Sequence, residues 1–250
     1  MRNGWSGWVL ACAVGMAYAG MAAAELEQVW SWQPVGEQFD ASVGVGDLNG
    51  DGRPELVCGG IHGSVTALDY AGNPVWTWTQ METVSAAPAV ADVHPSPGPE
   101  VLVLTNMGVV YALAGGDGRE LWQYRMSGHI RWACGGVAAA DLDGDGNLEL
   151  VVSDSALRAV ALRGDGTERW RFDQEGGFLG APTVADLDGD GRLEVLLAGA
   201  RDTLICLDAD GREKFRAGSG VPAGGAQVAA DLDGDGHPEI LCGTADGLRV

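Results

Sequence analysis

Four nine-residue segments carry the side chains best suited to chemistry. Asp141 to Glu149 reads DLDGDGNLE, and the copies DLDGDGRLE (186–194) and DLDGDGHPE (231–239) keep acids at positions 1, 3, 5 and 9. A fourth copy, DLNGDGRPE (47–55), has Asn49 at position 3. Oxygen-bearing side chains at alternating positions converge only where the backbone curls tightly, and glycine at positions 4 and 6 permits the curl because it adopts positive φ without penalty. Carboxylates gathered without a cation repel one another. A hard cation held by six or seven oxygens, one of them the position 7 carbonyl, removes the repulsion, and Ca2+ suits such a set better than Mg2+.

About four Ca2+ sites are therefore expected. Their residues are Asp47, Asn49, Asp51, Arg53 and Glu55; Asp141, Asp143, Asp145, Asn147 and Glu149; Asp186, Asp188, Asp190, Arg192 and Glu194; and Asp231, Asp233, Asp235, His237 and Glu239. A lone Asp-Gly is commonly just a hairpin turn. Four gapless copies sharing the same Glu at position 9 need a further reason. An EF-hand is excluded because position 12 holds Cys58, Val152, Leu197 and Cys242 where a bidentate Glu belongs. A fifth segment, DVHPSPGPE (92–100), puts His94 and Ser96 where acids belong. Its prolines can preset the turn, and no metal is expected there.

The charge balance agrees with cation binding. Fifteen Lys and Arg face 35 Asp and Glu, a formal −20, which repels phosphate backbones and excludes nucleic acid as the natural partner. The first loop holds three acids and each of the other three holds four, so fifteen of the 35 have a local explanation.

The elements that must position these loops follow from their recurrence. The first acids, Asp47, Asp92, Asp141, Asp186 and Asp231, are 45, 49, 45 and 45 residues apart. Each unit carries a second motif, GSVTALDYAGNPVW (63–76) or GVVYALAGGDGRELW (108–122), with degenerate copies ending at Trp170 and Phe215. Four short apolar runs per unit, parted by Gly/Asp turns, read as four strands, and no window shows helical spacing. The 40 Gly and 10 Pro agree. Four-stranded units of about 45 residues imply an all-β fold, a β-propeller whose blades hide their edges by radial repetition. The repeats start near 42, 87, 136, 181 and 226. The last is incomplete, so the five are expected to belong to a larger, seven- or eight-bladed ring. Trp30 and Trp32 read as a fourth strand without its blade, of use in closing a ring.

Residues 1–24 carry one cation, Arg2, then an apolar stretch ending in small residues before Glu25, which reads as a secretory signal. Cleavage after Ala24, or after Ala19, would leave a mature chain without a membrane span, exported to the periplasm, the cell surface or the medium; a retained anchor is the alternative. Residues 25–250 form the propeller domain. Cys58, Cys206 and Cys242 take repeat positions held elsewhere by apolar residues and are expected as buried free thiols.

The DxDGDGxxE loop between apolar strands resembles the FG-GAP/VCBS repeats of integrin-α-like propellers, and GxVxALDxxGxxxW resembles the pyrroloquinoline-quinone-type propeller repeat. The resemblance runs from about Trp30 to Val250. It implies the propeller fold and Ca2+ in four loops, and departs from the pattern at 92–100. It specifies no activity, because both repeat types serve many functions. A quinone-dependent dehydrogenase would be expected to carry adjacent cysteines, and none stand together. Some polysaccharide lyases resemble this propeller and form the other enzymatic alternative. GxSxG is lacking after residue 24 and HExxH throughout.

A binding or adhesion scaffold for a protein or carbohydrate, non-catalytic in this segment, is the reading that remains. The face opposite the acidic loops is the expected binding face. The extra residues of the second unit lie in RMSGHIRWACGG, bringing Arg125, His129, Arg131 and Trp132 there beside His62 and Arg201. Trp132 could equally pack between blades.

Overall fold

The computed structural model describes residues 29–34, 36–39, 42–84, 86–126, 136–155, 157–178, 180–199, 203–217, 227–244 and 247–249. Among them the chain forms nineteen strands and no helix. The first sheet holds β1 (Gly44–Gly46), β2 (Glu55–Gly59), β3 (Ser64–Leu68) and β4 (Pro74–Thr79). The second holds β5 (Ala89–Ala91), β6 (Glu100–Leu104), β7 (Val109–Ala114) and β8 (Glu120–Arg125). In the third are β9 (Val137–Ala140), β10 (Glu149–Ser153), β11 (Arg158–Leu162) and β12 (Glu168–Asp173); in the fourth, β13 (Thr183–Ala185), β14 (Glu194–Gly199), β15 (Thr203–Leu207) and β16 (Glu213–Ala217). The fifth shows β17 (Gln227–Ala230), β18 (Glu239–Thr244) and β19 (Gly247–Arg249). Every sheet is an antiparallel meander in chain order.

The sequence pattern explains this arrangement. Middle strands such as β6 (EVLVL) and β10 (ELVVS) are apolar runs buried along their whole length, as strands covered on both faces must be. Alternate side chains then serve opposite neighbours. Val101 and Val103 pack with Val57 and Val65 of the first sheet, whereas Leu102 and Leu104 pack with Leu150 and Val152 of the third. Val151 and Ala159 join Val195 and Ile205 in the next layer, and Leu196 and Cys206 meet Cys242 beyond it. The sheets thus stack face to face. Fourth strands are outermost and alternate between exposed and half-buried, as in β4. Each joins the third strand through a register shift at one recurring position, for instance between Ala67 and Leu68 and between Ala161 and Leu162.

A tryptophan links each of the first three sheets to the next. The indole Nε1 of Trp76 donates to Gly115 O (2.6 Å), that of Trp122 to Gly164 O (2.8 Å) and that of Trp170 to Ala209 O (3.0 Å). Trp30 does the same to Tyr70 O (3.1 Å), so residue 30 takes the place that a preceding sheet's Trp would fill, although 29–34 form no strand. The ring lies on a glycine of the receiving turn. A Cβ on Gly166 would stand 2.7 Å from the Trp122 ring, and Gly166 has φ +81, so both space and backbone require glycine there.

Cys58, Cys206 and Cys242 are buried and free, and burial pushes the Cys58 and Cys206 thiols up to about 11. Residues 1–28 fall outside the described part, and no described helix is long and apolar enough to cross a membrane.

Candidate functional site

Each acidic loop joins the first strand of its sheet to the second, and position 9 begins that second strand. This Glu is buried: Glu55, Glu149 and Glu194 are only 2–3% exposed. One of its oxygens accepts the position 2 amide, from Leu48 (2.8 Å), Leu142 (3.0 Å), Leu187 (2.9 Å) and Leu232 (2.8 Å). Leu48 and Leu142 are themselves core residues, so this bond pins the start of the loop to the sheet.

Position 1 organises the curl. Asp141 accepts the amides of Gly144 (2.8 Å) and Gly146 (2.9 Å), and Asp47, Asp186 and Asp231 repeat both bonds. The two glycines of this loop have φ +76 and +90, a backbone that side chains with a Cβ rarely adopt. Position 5 is used locally: Asp51, Asp145, Asp190 and Asp235 each accept the position 7 amide at 2.8 Å, an Asx-type turn.

Positions 1, 3 and 9 come together. Asp141, Asp143 and Glu149 each present an oxygen within 4.8 Å of the others, as do Asp186, Asp188 and Glu194, and Asp231, Asp233 and Glu239. Position 5 does not belong to these groups. In the first loop the Asn49 amide nitrogen donates to Glu55 Oε1 (3.2 Å), and its carbonyl accepts Asp51 N–H (2.8 Å). Position 7 side chains point elsewhere: Arg53 stacks 4.4 Å over Tyr70, Asn147 donates to Asp145 (2.9 Å), Arg192 lines a groove, and the His237 ring stands beside Gly189 of the fourth loop. Three carboxylates, with no nitrogen or sulfur ligand among them, form a donor set that fits a hard cation.

Two basic residues absent from the sequence reading reach these loops from the outer strands β12 and β16. Arg169 donates from Nη1 to Asp143 Oδ2, and its other amino group lies 3.6 Å from Asp210 of the next sheet. Lys214 Nζ bonds Asp188 Oδ2 (2.7 Å) and Glu194 Oε1 (2.9 Å). These bonds hold the Asp143 and Asp188 carboxyls below the usual carboxylate range, and push the Lys214 pKa up. Glu149 moves upward instead, chiefly because it is buried. A groove of about 460 Å3 runs between the third and fourth loops, lined by Asp143, Arg169, Asp190, Arg192, Asp210 and Lys214 among others.

The 92–100 loop holds itself. Glu100 Oε2 accepts Val93 N–H (2.9 Å) and His94 N–H (3.0 Å), Ser96 Oγ donates to Oε1 (2.7 Å), and His94 Nδ1 accepts Ser96 N–H (3.0 Å).

The same repeats stand out against known families. The model for the FG-GAP repeat matches residues 39–61, that for the FG-GAP-like repeat matches 186–242, and that described as outer membrane protein assembly factor BamB, a PQQ-type repeat, matches 61–177. The chain has the propeller fold, and its sequence matches FG-GAP and PQQ-like repeats over these stretches. No curated protein matches it in sequence. Among solved structures, BamB from Moraxella catarrhalis is 20% identical with a TM-score of 0.62, the match covering 88% of this chain and 59% of BamB. Quinohemoprotein alcohol dehydrogenase from Comamonas testosteroni is 15% identical (TM-score 0.59; 82% and 40% covered). The BBS1N chain crystallised in complex with ARL6DN is 11% identical (TM-score 0.54; 85% and 77% covered). The propeller therefore spans about three-fifths of BamB and two-fifths of the dehydrogenase, and at these identities the likeness speaks for the fold.

On the propeller's opposite face two expected binding residues are already engaged. His62 Nδ1 lies 3.1 Å from Glu37 Oε1, and the Arg125 guanidinium 3.5 Å from Glu82 Oε1. Glu37 also takes the His62 amide (2.9 Å) and the Ser64 hydroxyl (2.5 Å), which ties the N-terminal segment to the first blade. His129, Arg131, Trp132 and Arg201 lie outside the described residues.

Proposed function

We propose that the chain is an exported, Ca2+-stabilised propeller that acts as a binding or adhesion scaffold for a protein or a carbohydrate. The observation that carries the metal reading is the threefold recurrence of one oxygen group, positions 1, 3 and 9, at the same turn of successive blades. Those residues would hold the ion in the third, fourth and fifth loops. In the first, Asp47, Asn49 and Glu55 would do so, with the position 7 carbonyls of Arg53, Asn147, Arg192 and His237 completing the sets. Bound Ca2+ supplies charge neutralisation and cross-links the turn. The protein's own share is already visible: glycines and backbone amides shape each loop around its position 1 carboxylate.

The scaffold reading rests on architecture. BBS1N, of the same fold, was crystallised with a protein partner, and the likeness to the alcohol dehydrogenase reaches no further than fold. Export rests on the apolar, small-residue stretch of 1–24.

Melting of purified protein in EDTA and in millimolar CaCl2 tests the metal reading. A ligand that binds only the folded state raises Tm by mass action, about 2.7 kcal/mol at a hundredfold excess over Kd. A Tm indifferent to calcium would remove the reading. Glycan-array binding by the calcium-loaded chain would favour a sugar ligand over a protein.

A further inference from the structure

The residue just before each blade's outer aromatic is Val75, Leu121, Arg169 and Lys214 in the first four units, and position 3 of the same units is Asn49, His94, Asp143 and Asp188. Where position 3 is an acid, the outer strand supplies a cation; where it is an amide or imidazole, the strand supplies an apolar residue. The first loop has three acids and no such outer-strand cation, whereas the third and fourth have four acids and one such cation each, so in both the outer strand offsets the fourth acid. Lys214 does more than pair on the surface. Its ammonium bridges the position 3 and position 9 carboxylates, taking the Glu194 oxygen that the Leu187 amide leaves open. Arg169 acts on Asp143, and its Nη1 lies 4.0 Å from Glu149 Oε2.

We infer that Arg169 and Lys214 are tethered counter-cations that keep the third and fourth loops in shape when calcium is scarce, and that must leave position 3 for Ca2+ to be chelated there. This rests on the calcium reading above. Ca2+ sits about 2.3–2.6 Å from its oxygen ligands. An ammonium 2.7 and 2.9 Å from two of the same oxygens would then stand beside a divalent ion, and like charges at such separations repel by more than the oxygens can share out. The tether and the metal therefore compete. Competition weakens calcium uptake in these two loops relative to a loop with four acids and no lysine, and reduces how far the fold depends on the ion.

The test compares wild type with Lys214→Met and Lys214→Gln, using CaCl2 titration calorimetry and melting in EDTA. Both variants are expected to bind one Ca2+ per chain about tenfold more tightly, a change of about 1.4 kcal/mol, while Tm in EDTA falls by about 2–4 °C. Lys214→Arg should restore both values toward wild type. If wild type takes up Ca2+ and the two neutral variants titrate identically to it, the inference fails and the calcium reading stands. If no variant takes up Ca2+, the calcium reading fails and the competition fails with it, even if the EDTA melting point still falls. Methionine alone could perturb packing; agreement between Met and Gln is what assigns the effect to the lost charge.

Discussion

The second and third loops occupy the same turn in adjacent blades and are held together by different means. In both, a buried Glu on the second strand accepts the position 2 amide, Glu100 from Val93 and Glu149 from Leu142. Around that shared bond the second loop uses prolines and neutral donors, with the Ser96 hydroxyl and the His94 amide saturating Glu100. The third keeps the position 1 acid that the second also has (Asp141, Asp92), adds Asp143 and Asp145, and offsets Asp143 with Arg169. The blade therefore requires the Glu-to-amide bond. It does not require the extra acids, whose presence in the other loops calls for a separate reason.

The largest effect should come from the shared bond. Glu100→Ala and Glu149→Ala each leave a buried amide unpaired, at a cost of about 2–3 kcal/mol. In EDTA both should lower Tm by similar amounts, about 4–10 °C, and a mild Glu100→Ala beside a severe Glu149→Ala would break the idea of a common requirement. Next comes Asp141→Ala. It removes the acceptor of the Gly144 and Gly146 amides and one proposed ligand, so one Ca2+ per chain should disappear from calorimetry and the calcium-induced rise in Tm should shrink.

Asp145→Ala and Ser96→Ala sharpen the contrast further. Asp145 turns inward on Asn147, so its loss should weaken the third loop by about 1 kcal/mol and reduce calcium uptake there. Ser96→Ala forfeits one hydrogen bond of similar worth, with the same Tm change in EDTA and in calcium. A calcium-dependent Ser96→Ala would erase the distinction between the loops.

The smallest effect is on pH dependence. The Arg169 bond depresses the Asp143 pKa, so its stabilisation is present above the unfolded carboxylate value and is lost as pH falls through the lower folded one. Asp143 is about one-third exposed, which confines the contribution to less than about 1 kcal/mol. In EDTA, Asp143→Asn should show a shallower loss of Tm on acidification below pH 4 than wild type. Equal slopes would mean that solvent already screens the pair.

Much of this was open to reading in the chain. The sheets follow from apolar runs at a fixed repeat, because a strand covered on both faces cannot be written otherwise. The acidic loops stand out because glycine and aspartate recur at set offsets. The counter-cations did not stand out, since Arg169 and Lys214 are single basic residues 26 positions from the acids they touch and look like ordinary outer-strand charges. Comparing position 3 with the residue before the aromatic, unit by unit, would have found them. Likewise His62 and Arg125 read as free surface groups, while Glu37 and Glu82, which hold them, lie in stretches without a repeat signature. Asp145 and its counterparts close their own turns through one carboxylate oxygen, a use that alternation of acids alone does not reveal.

The indole contacts between blades all run one way along the chain: each of the first three units ends in a plug, its tryptophan, and each of the first four carries a socket, the glycine turn that receives the plug before it. A segment copied whole brings both halves of its joint with it. Tandem duplication could therefore lengthen such an array without inventing a new seam, leaving each loop free to diverge in what it holds.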